Sequence, residues 1–391
     1  MKFLKGLAVS LLSLLLFLSL SILGLVLTLN HTVLNPDFIT SELDRLDVSS
    51  LATEVLGGQV PQGELGTALI NTIPKLEPLL KERLSVAIHS TYDYLLGKRQ
   101  NPELKLTLKN SFLNTDFVTS VVDELDISSL AAGFIREKLA DKIPEEFMKY
   151  VSEYMDDAIT KTEPLIKKKM ITASGPVLDY MLGESQSLDV VISLEPIKQS
   201  LGDNLREAFL KSPPPEFAGV PPATLEMAFN TFYGMAATQI PSTFEFDEST
   251  LGTEMPANIA TAVAQSEEVL MQAREYVSYF QLGYKLVIAL IVLSALGIIL
   301  IHHEVKGATR TLGSTFLAFG AFEYASILVG KYFSKTQLPL PEMPASLQAW
   351  IPQLFAGFLA PLETLSLGLL IGGVVLIIIS IVYGRRQPQS E

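Results

Sequence analysis

The chain has 391 residues, a formal net charge of −13 and no cysteine, which excludes disulfides, thiolate metal sites and cysteine nucleophiles. Residues 30–280 hold 37 of the 42 acidic residues and 20 of the 29 basic ones, a net charge of −17, and the rest of the chain carries +4. Such an acidic segment is unsuited to nucleic acid and to anionic lipid headgroups, because lysine and arginine must neutralise the phosphates of both.

A long apolar run follows the basic residues Lys2 and Lys5. Residues 6–29 contain no charge, and about 20 apolar residues suffice for a helix to cross the hydrocarbon core. The alternative is a signal peptide, whose apolar region spans about 7–15 residues and ends in a small-x-small cleavage site. Residues 27–30 (LTLN) are not such a site. We therefore predict that residues 6–29 are an uncleaved transmembrane signal anchor.

The segment that follows contains an internal duplication. Residues 35–51 (NPDFITSELDRLDVSSL) align without gaps on residues 114–130 (NTDFVTSVVDELDISSL), with 11 of 17 positions identical. Residues 75–97 align on residues 161–183 with 10 of 23 identical. Self-similarity of this kind is the signature of repeated structural units. We predict a tandem duplication with repeat unit 1 at residues 30–111 and repeat unit 2 at residues 112–211.

Each unit is predicted to begin with two short capped helices. Asn35 and Asn114 carry a side chain preferred at an N-cap, where its oxygen accepts from a backbone N–H. Asp47 and Asp126 precede the second helix of each unit and are predicted to cap it in the same way. Capping also explains the other repeated aspartates, since the pattern of a calcium-binding loop is missing from the sequence.

A long amphipathic helix and a short strand are predicted to complete each unit. Apolar residues recur every three or four positions in residues 76–95, Pro78 and Pro164 should start or kink the long helices, and Gly97 and Gly183 should end them. Residues 104–108 and 190–194 then alternate apolar and polar side chains, which indicates one strand per unit. These strands are predicted to pair with each other, with residues 243–246 as a candidate third strand.

A stalk helix is predicted after a proline-rich segment. Prolines punctuate short apolar pieces in residues 212–257, which indicates loops with short helices. From residue 258 onward, apolar residues recur at alternating spacings of four and three, the heptad pattern of a coiled coil. This pattern predicts one helix over residues 258–302 that continues into the second span. It either transmits movement between the outer domain and the membrane helices or only packs on its own domain.

Two apolar runs near the C-terminus predict transmembrane helices 3 and 4 at residues 311–333 and 361–384. Lysine and arginine concentrate on the cytoplasmic side of membrane proteins. With four spans, one side receives Lys2, Lys5, Lys306, Arg310, Arg385 and Arg386, and the other receives Lys331 and Lys335. We therefore predict a multi-pass plasma-membrane protein with both termini in the cytoplasm. Trp350 and the tyrosines before the second span are predicted to lie at the membrane interface.

Glu323 lies at the centre of the third span. A carboxyl group at this depth is costly, so it should face the interior of the helix bundle. We consider it a candidate ion or proton site, or a polar anchor for a partner; the alternative is a neutral acid that is hydrogen-bonded to a neighbouring helix. Glu363 should lie at the outer end of the fourth span and pair with Lys331 or Lys335.

Glycines in the last two spans indicate close helix packing. Gly368-x-x-x-Gly372, followed by Gly373, is a packing motif of apolar helices, and Gly320 similarly thins the third span. We expect these glycines to seat helices against one another within one chain. A contact between two chains is the alternative, so a homo-oligomer stays open.

The sequence contains no recognisable catalytic, cofactor-binding or metal-binding motif. Phosphate-loop, nucleophile-elbow and dinucleotide patterns are all missing from it. His302, His303 and Glu304 are a candidate metal or pH-sensing group, but adjacent residues on a helix point about 100° apart. Polar residues at the membrane border are the better interpretation. We therefore expect a protein that is not an enzyme and that has no metal or cofactor.

Three hypotheses of function remain. The first is a non-enzymatic envelope protein whose acidic domain binds a protein partner or ligand outside the membrane. The second rests on topology: one span, a large outer domain and three further spans resemble the layout of the permease subunits in the MacB/FtsX group of ATP-driven systems. This resemblance implies a transport-associated subunit with an ATPase partner, although only five residues precede the first span and residues 303–310 link the next two. The third hypothesis is a lipid-binding outer domain.

These patterns together predict a mainly α-helical integral membrane protein with four transmembrane helices and a helix-rich extracytoplasmic domain with minor β structure. The predicted segments are the cytoplasmic N-terminus (1–5), the signal anchor (6–29), repeat units 1 (30–111) and 2 (112–211), the proline-rich segment (212–257), the stalk and second span (258–302), a cytoplasmic link (303–310), the third span (311–333), an extracytoplasmic loop (334–360), the fourth span (361–384) and a cytoplasmic tail (385–391).

Overall fold

The structure, a computed structural model, is mainly helical and describes residues 2–56, 64–134, 145–238, 240–252, 254–336 and 343–386. Most of the predicted tail, residues 387–391, and residues 337–342 of the predicted loop lie outside these residues. In chain order the elements are α1 (Lys2–His31), α2 (Pro36–Arg45), α3 (Val48–Leu56), α4 (Glu64–Leu95), α5 (Leu104–Ser111), α6 (Thr115–Glu124), α7 (Ile127–Phe134), α8 (Glu145–Met181), β1 (Asp189–Ser193), α9 (Glu195–Lys211), α10 (Pro222–Ala237), β2 (Thr243–Asp247), α11 (Glu248–Leu251), α12 (Met255–His302), α13 (Val305–Thr336) and α14 (Ala345–Arg386).

The chain forms two compact units. The bundle unit comprises Met1–Asp47, Ile88–Pro102 and Val269–Glu391, and the domain unit comprises Val48–Ala87 and Glu103–Glu268. The bundle unit therefore contains α1, α2, the end of α4, α13, α14 and most of α12. The domain unit contains α3, most of α4, and all elements from α5 to α11.

Four helices of the bundle unit are long and apolar enough to cross a membrane. Their spans are Phe3–His31, Met255–His302, Val305–Ser334 and Ala345–Tyr383, with mean hydropathies of 2.6, 2.6, 1.4 and 2.8. All four helices contribute to one apolar core, which is built on Leu16, Leu20, Ile298, Leu312 and Phe319. The third span is the least apolar of the four, as its central glutamate leads one to expect.

The fourth of these helices is longer than the span predicted for it. α14 begins at Ala345, so the second half of the segment 334–360, which we predicted as a loop, is helical. Pro352 and Pro361 lie inside this helix. Neighbouring helices can compensate for the hydrogen bonds that proline removes from a helix in a membrane.

The aligned halves of the duplication have the same local structure at their helix ends. The side chain of Asn35 accepts from the N–H of Asp37 at 3.0 Å, and that of Asn114 accepts from the N–H of Phe117 at 2.8 Å, so both are N-caps as predicted. Gly97 and Gly183 follow α4 and α8 with φ angles of 79° and 66°.

These glycines end the two long helices as predicted. In the first copy, the N–H of Gly97 donates to the carbonyl of Tyr94 and the N–H of Lys98 donates to that of Asp93. The second copy repeats both hydrogen bonds around Gly183. This pair of bonds is the Schellman motif, which requires a left-handed residue at the position after the helix and so favours glycine there.

Of the two roles predicted for the prolines of the long helices, starting a helix or kinking it, the first was wrong. Pro78 and Pro164 do not begin α4 and α8, which start earlier, at Glu64 and Glu145. Both prolines lie inside helices, as do Pro74 and Pro176. A proline inside a helix removes one backbone hydrogen bond, and these two helices continue through that loss.

One of the two predicted strands is a helix instead. Residues 104–108 belong to α5, whereas β1 forms as predicted and pairs antiparallel with β2, in the register Val190 to Phe246. The first copy has leucine and lysine at these positions, which favour helices, and the second has valine and isoleucine, which favour strands. The candidate third strand is therefore the partner that β1 uses.

The domain unit has its own apolar core between α8, α9 and α10. Its fully buried residues include Ile159, Leu205 and Phe229. α9 and α10 approach closely where the ring of Tyr233 lies over Gly202, since a Cβ at Gly202 would lie 2.6 Å from the ring. The hydroxyl of Tyr233 donates to the carbonyl of Lys198, so this contact joins the two helices by both packing and a hydrogen bond.

The predicted stalk is one helix, α12, of 48 residues. Its heptad seam coincides with the less exposed side of the helix: Val263, Leu270 and Ala273 are partly buried and Val277 is buried, although Ser266 is exposed. The same stripe continues to Ser294 and Ile298, which are 1% and 0% exposed. The period of the seam therefore persists from the segment before the apolar span to its end.

Candidate functional site

Glu323 occupies the buried stripe of α13. It lies one turn from Phe319 and one turn from Ile327, which are 0% and 2% exposed, and it is itself half-buried. Among the residues that the structure describes, Glu323 has no hydrogen-bond or ion-pair partner. The carboxyl group thus lies along the core of the bundle without a charge to balance it.

Gly320 and Gly373 lie where α13 and α14 approach most closely. A Cβ added to Gly320 would lie 2.6 Å from both the N of Leu370 and the O of Ser366, and one added to Gly373 would lie 2.6 Å from the N of Leu317. These distances involve backbone atoms, so a larger residue at either glycine must push the helices apart. Both residues were selected from the sequence as packing glycines.

The two glycines of the G-x-x-x-G motif are placed differently. Nothing lies within 4 Å of a Cβ added to Gly368 or to Gly372. Neither glycine therefore makes, within the described chain, the close helix contact that we expected of this pair. The motif has the right spacing, but spacing alone does not determine which face of α14 meets α13.

An ion pair joins the same two helices near the end of the bundle where α14 begins. The Nζ of Lys331 lies 2.5 Å from Oε2 of Glu363, and both side chains are about a quarter exposed, at 26% and 27%. This is one of the two pairs that we predicted for Glu363.

The side chain of Trp350 makes a long-range contact within the bundle unit. Its indole N–H donates to the backbone carbonyl of Glu42 at 3.0 Å, which attaches the first part of α14 to α2. The sequence had suggested an anchor at the membrane interface, because an isolated tryptophan before a span is typical of one. The contact with α2 depends on a residue 308 positions away, which periodicity cannot reveal.

Glu42 is the most completely buried carboxylate at this junction. Its side chain is 3% exposed, and Oε1 lies 2.5 Å from Nη1 of Arg45, whose side chain is 56% exposed. Oε2 has no hydrogen-bond partner among the described residues. On the α14 side, a Cβ at Gly357 would lie 3.2 Å from Oε1 of Glu42 and 3.3 Å from Phe38, so α2 and α14 are in close contact.

Three further contacts hold the end of α4 and the turn after it in the bundle unit. The guanidinium of Arg274, on α12, lies 4.7 Å from the ring centroid of Tyr94 and donates to the carbonyl of Gln100 at 2.9 Å. A cation over an aromatic ring is attracted by its π electrons. The hydroxyl of Tyr92 donates to the carbonyl of Val33 at 2.7 Å.

Within the domain unit, Glu267 of α12 makes a corresponding contact. Its Oε1 accepts from the N–H of Leu104 at 2.9 Å, at the start of α5, where the preceding Glu103 has a left-handed φ of 47°. An acidic side chain at a helix N-terminus satisfies an unpaired donor and suits the helix dipole. α12 therefore caps α5 with its own carboxylate.

His302 ends α12, and His303 and Glu304 form the turn between α12 and α13. The Nε2 of His302 lies 3.0 Å from the Oγ1 of Thr311, and its ring fills the space over Gly307, where a Cβ would lie 2.4 Å from Nδ1. His303 has a left-handed φ of 54°. The two histidines thus serve a tight turn, and among the described residues there is no group of three or more metal-ligating side chains.

In both halves of the duplication, a glutamate of the long helix binds the start of the preceding short helix and pairs with a lysine one turn further along. We call this arrangement the clasp; its glutamates are Glu77 and Glu163. Glu77 accepts from the backbone N–H of Val48 and Ser49 at 3.3 and 3.0 Å and pairs with Lys81 at 2.6 Å. Burial raises the pKa of the Glu77 carboxyl, but the hydrogen bonds from Lys81 and Ser49 outweigh burial and leave the pKa below its usual value. The carboxylate of Glu77 thus receives two backbone donors from the first turn of α3.

The second copy repeats the clasp with equivalent residues. Glu163 accepts from the hydroxyl of Ser128 at 2.5 Å and pairs with Lys167 at 2.9 Å. Its pKa is also lowered, because the hydrogen bonds from Ser128 and Lys167 outweigh the opposing effect of burial. Here Asp126 caps α7 as predicted, since it accepts from the N–H of Ser129 at 3.0 Å.

An open groove lies beside the second clasp. Its volume is about 450 Å³, and charged or hydroxylated side chains line much of it, including Asp123, Thr160, Glu163, Lys167 and Lys168. Lys167 also donates to the backbone carbonyl of Asp123 at 2.9 Å. The groove is open and its lining is mixed, with Pro164 and Ile171 beside the charged residues, so it differs from the enclosed apolar cavity that a bound lipid tail requires.

Comparison of the chain with protein-family models, with curated proteins and with solved structures finds no match. The interpretation of the site therefore rests on its own residues.

Sequence reasoning missed Glu42 and Arg274. Arg274 is one basic residue in an acidic stretch, and nothing local marks its aromatic partner. Glu42 did leave a signal, because the alignment of the two copies places Val121 opposite it and Glu124 opposite Arg45. A departure from an otherwise well-kept repeat indicates a position with a role in one copy only.

Proposed function

We propose that this protein is a non-enzymatic, multi-pass membrane protein whose acidic duplicated domain binds a partner outside the membrane and is coupled to the membrane helices through α12. The observation that carries the proposal is the continuity of α12. This helix extends without a break from the domain unit into the second candidate span. A continuous helix transmits the movement of one end to the other, since helices curve only gently unless a proline, a glycine or serine pair or a bulge kinks them.

Side-chain contacts on α12 support the coupling. In the domain unit, Glu267 caps α5, and in the bundle unit Arg274 holds the turn after α4 through Tyr94 and Gln100. α12 is thus attached by specific hydrogen bonds, and not by apolar packing alone. A helix that served only as a membrane anchor would not require these contacts.

The orientation of the protein is tested by cysteine labelling, because the chain has no native cysteine. Asn230→Cys places a thiol on an exposed position of α10, and Glu304→Cys places one in the exposed turn between α12 and α13. We expect a membrane-impermeant maleimide to label Asn230→Cys in intact cells and Glu304→Cys only after permeabilisation. The reverse pattern would show that the acidic domain is inside the cell and would end the proposal.

The coupling is tested by hydrogen exchange in the Arg274→Gln variant. Loss of the guanidinium should increase exchange in the turn at residues 94–100 and also in the part of α12 that belongs to the domain unit. Arg99→Gln, a change in the same turn that leaves Arg274 in place, is the control. If the increase stops at the turn, α12 does not transmit the change and only packs on its own domain.

A partner is sought by cross-linking in intact cells followed by purification in mild detergent. Recovery of a protein from the outer side supports the proposal. Recovery of an ATPase from the cytoplasm instead favours the transport-associated role, for which the turn of two residues between α12 and α13 offers little contact surface. Recovery of lipid that is bound to the acidic domain would favour the lipid-binding hypothesis.

A further inference from the structure

The junction between α2 and α14 contains a buried charge that is only partly compensated. Oε1 of Glu42 is paired with Arg45 at 2.5 Å, while the side chain of Glu42 is 3% exposed. Oε2 is buried and has no hydrogen-bond partner among the described residues. Because water satisfies both oxygens of an exposed carboxylate, burial of this group opposes the docking of α2.

Other contacts at the same junction favour docking. The carbonyl of Glu42 accepts from the indole of Trp350, and the ring of Phe38 packs on Gly357, where a Cβ would lie 3.3 Å from it. The small surface of Gly357 is what lets Phe38 and Glu42, one turn apart on α2, reach the backbone of α14. The burial of Glu42 and these contacts therefore act in opposite directions on the docking of α2.

The duplication supplies an internal comparison. α6 has the length of α2 and the same asparagine N-cap, but Val121 stands in place of Glu42 and Glu124 in place of Arg45. The second copy therefore lacks the charge pair at this surface. The pair distinguishes the copy that contacts α14.

We propose that Glu42 and Arg45 form a two-position latch that lets the first repeat dock on α14 with Glu42 buried and release from it with both side chains in water. The assignment of the latch to coupling rests on the proposed function, because it would govern how the duplicated domain is attached to the membrane helices. The two-position behaviour itself depends only on the junction and is tested separately from membrane orientation.

Trp350 reports the latch directly, since it is the only tryptophan of the chain and its indole is bonded to Glu42. The experiment measures acrylamide quenching of its fluorescence in the full-length protein, in detergent or nanodiscs. Arg45→Glu installs the residue of the second copy and leaves Glu42 buried without its partner, which favours release. We expect the quenching constant to rise about twofold, as the released population becomes comparable with the docked one.

Glu42→Val, which also installs the residue of the second copy, should have the opposite effect. It removes the unpaired carboxylate oxygen and keeps an apolar side chain at the junction, so quenching should fall below that of the original protein. In the double variant, Glu42→Val with Arg45→Glu, the change at position 45 should no longer raise quenching, because no buried carboxylate is left at position 42 for Arg45 to neutralise. This dependence of one substitution on the other is the signature of the latch.

Two further variants serve as reference points for the quenching experiment. Gly357→Leu, whose side chain cannot fit under Phe38, gives the signal of the released junction. Glu124→Arg, the reverse exchange at the equivalent position of the second copy, should leave quenching unchanged. The proposal is overturned if Arg45→Glu raises quenching equally with Glu42 and with Val at position 42, or if Glu42→Val raises it. Far-UV circular dichroism confirms that each variant is folded.

Discussion

At the scale of single residues, we expect opposite effects of substitution at the tightly packed and at the open glycines of the last two spans. Gly320 leaves no room for a Cβ, which would lie 2.6 Å from backbone atoms of α14, whereas Gly368 has open space around it. We expect Gly320→Ala to destabilise the bundle by about 1–3 kcal/mol, because overpacking forces backbone shifts. The measurement is thermal unfolding in detergent.

Gly368→Ala is the matched control for this prediction. It adds the same methyl group to the neighbouring helix at a similar depth, and its unfolding temperature should stay within error of the original protein. Equal losses from the two substitutions would show that alanine is harmful at any glycine of this bundle, and that close approach is not the reason.

Tyr233 gives the domain unit a predictable response to alkaline pH. Burial is the main cause that raises its pKa to about 12, compared with about 10 for an exposed tyrosine. The folded state therefore keeps a proton that the unfolded state loses. The stability that this provides is complete below about pH 10 and is lost as the pH rises from about 10 to about 12.

The measurement is the free energy of unfolding by urea between neutral pH and pH 12. Tyr233→Phe should cost about 1 kcal/mol at neutral pH, because the hydrogen bond to Lys198 is lost. It should also show a smaller loss of stability above pH 10 than the original protein. Parallel pH profiles of the two proteins would mean that ionisation of this phenol does not limit alkaline stability.

At the scale of elements, the repeated clasp links each long helix to the short helix before it. Glu77 and Glu163 have lowered pKa values because lysine and serine donors outweigh burial. Their contribution to stability is present above the ordinary glutamate pKa of about 4.3 and is lost as the pH falls through the lowered value. Acidification should therefore destabilise the domain unit below about pH 4.3.

Glu77→Gln and Glu163→Gln should each reduce the free energy of unfolding at pH 7 by about 1 kcal/mol and flatten its decline in acid. Glu82→Gln changes an exposed glutamate on a different face of α4 and should do neither. An effect of one clasp variant without the other would show that the two copies, despite their equivalent contacts, depend on the clasp to different degrees.

How well the elements follow from the sequence depends on how local their causes are. The asparagine caps, the glycine ends of α4 and α8, and the unbroken α12 are set by residues within a few positions, so local rules predict them. α5 was mistaken for a strand because alternation also fits a short helix, and leucine in place of valine decides between them. The partner of β1 lies about fifty residues away, and only the fold brings it close.

In the candidate site, too, some features follow from the sequence and others depend on the whole fold. Glu363 with Lys331 was predictable because both lie at the same depth in neighbouring spans. Which glycines pack, and the contact of Glu42 with Trp350, depend on how far each helix is rotated about its axis. That rotation follows from packing across the whole bundle, and no single motif contains it.

At the scale of the whole molecule, the two compact units have separate cores. One is centred on Phe319 in the bundle unit, and the other on Leu205 and Phe229 in the domain unit. Separate cores allow separate unfolding. In urea we expect the domain unit to unfold first, because the apolar helices of the bundle remain solvated by detergent.

Trp350 belongs to the bundle unit, so its fluorescence should change at a higher urea concentration than the far-UV circular dichroism. Glu42→Val provides a control for local effects at the indole, since it should shift only the fluorescence transition. Coincident transitions from the two probes would show that the chain unfolds as one cooperative unit.

The turn of two residues between α12 and α13 bears on how the chain enters the bilayer. Helices joined so tightly are translocated as a hairpin, since neither can complete its crossing while the other stays behind. The span around Glu323, with a mean hydropathy of 1.4 against 2.6 for its neighbour, is poorly suited to partition into lipid unaided. Biogenesis would therefore proceed with the more apolar partner carrying the acidic one into the membrane.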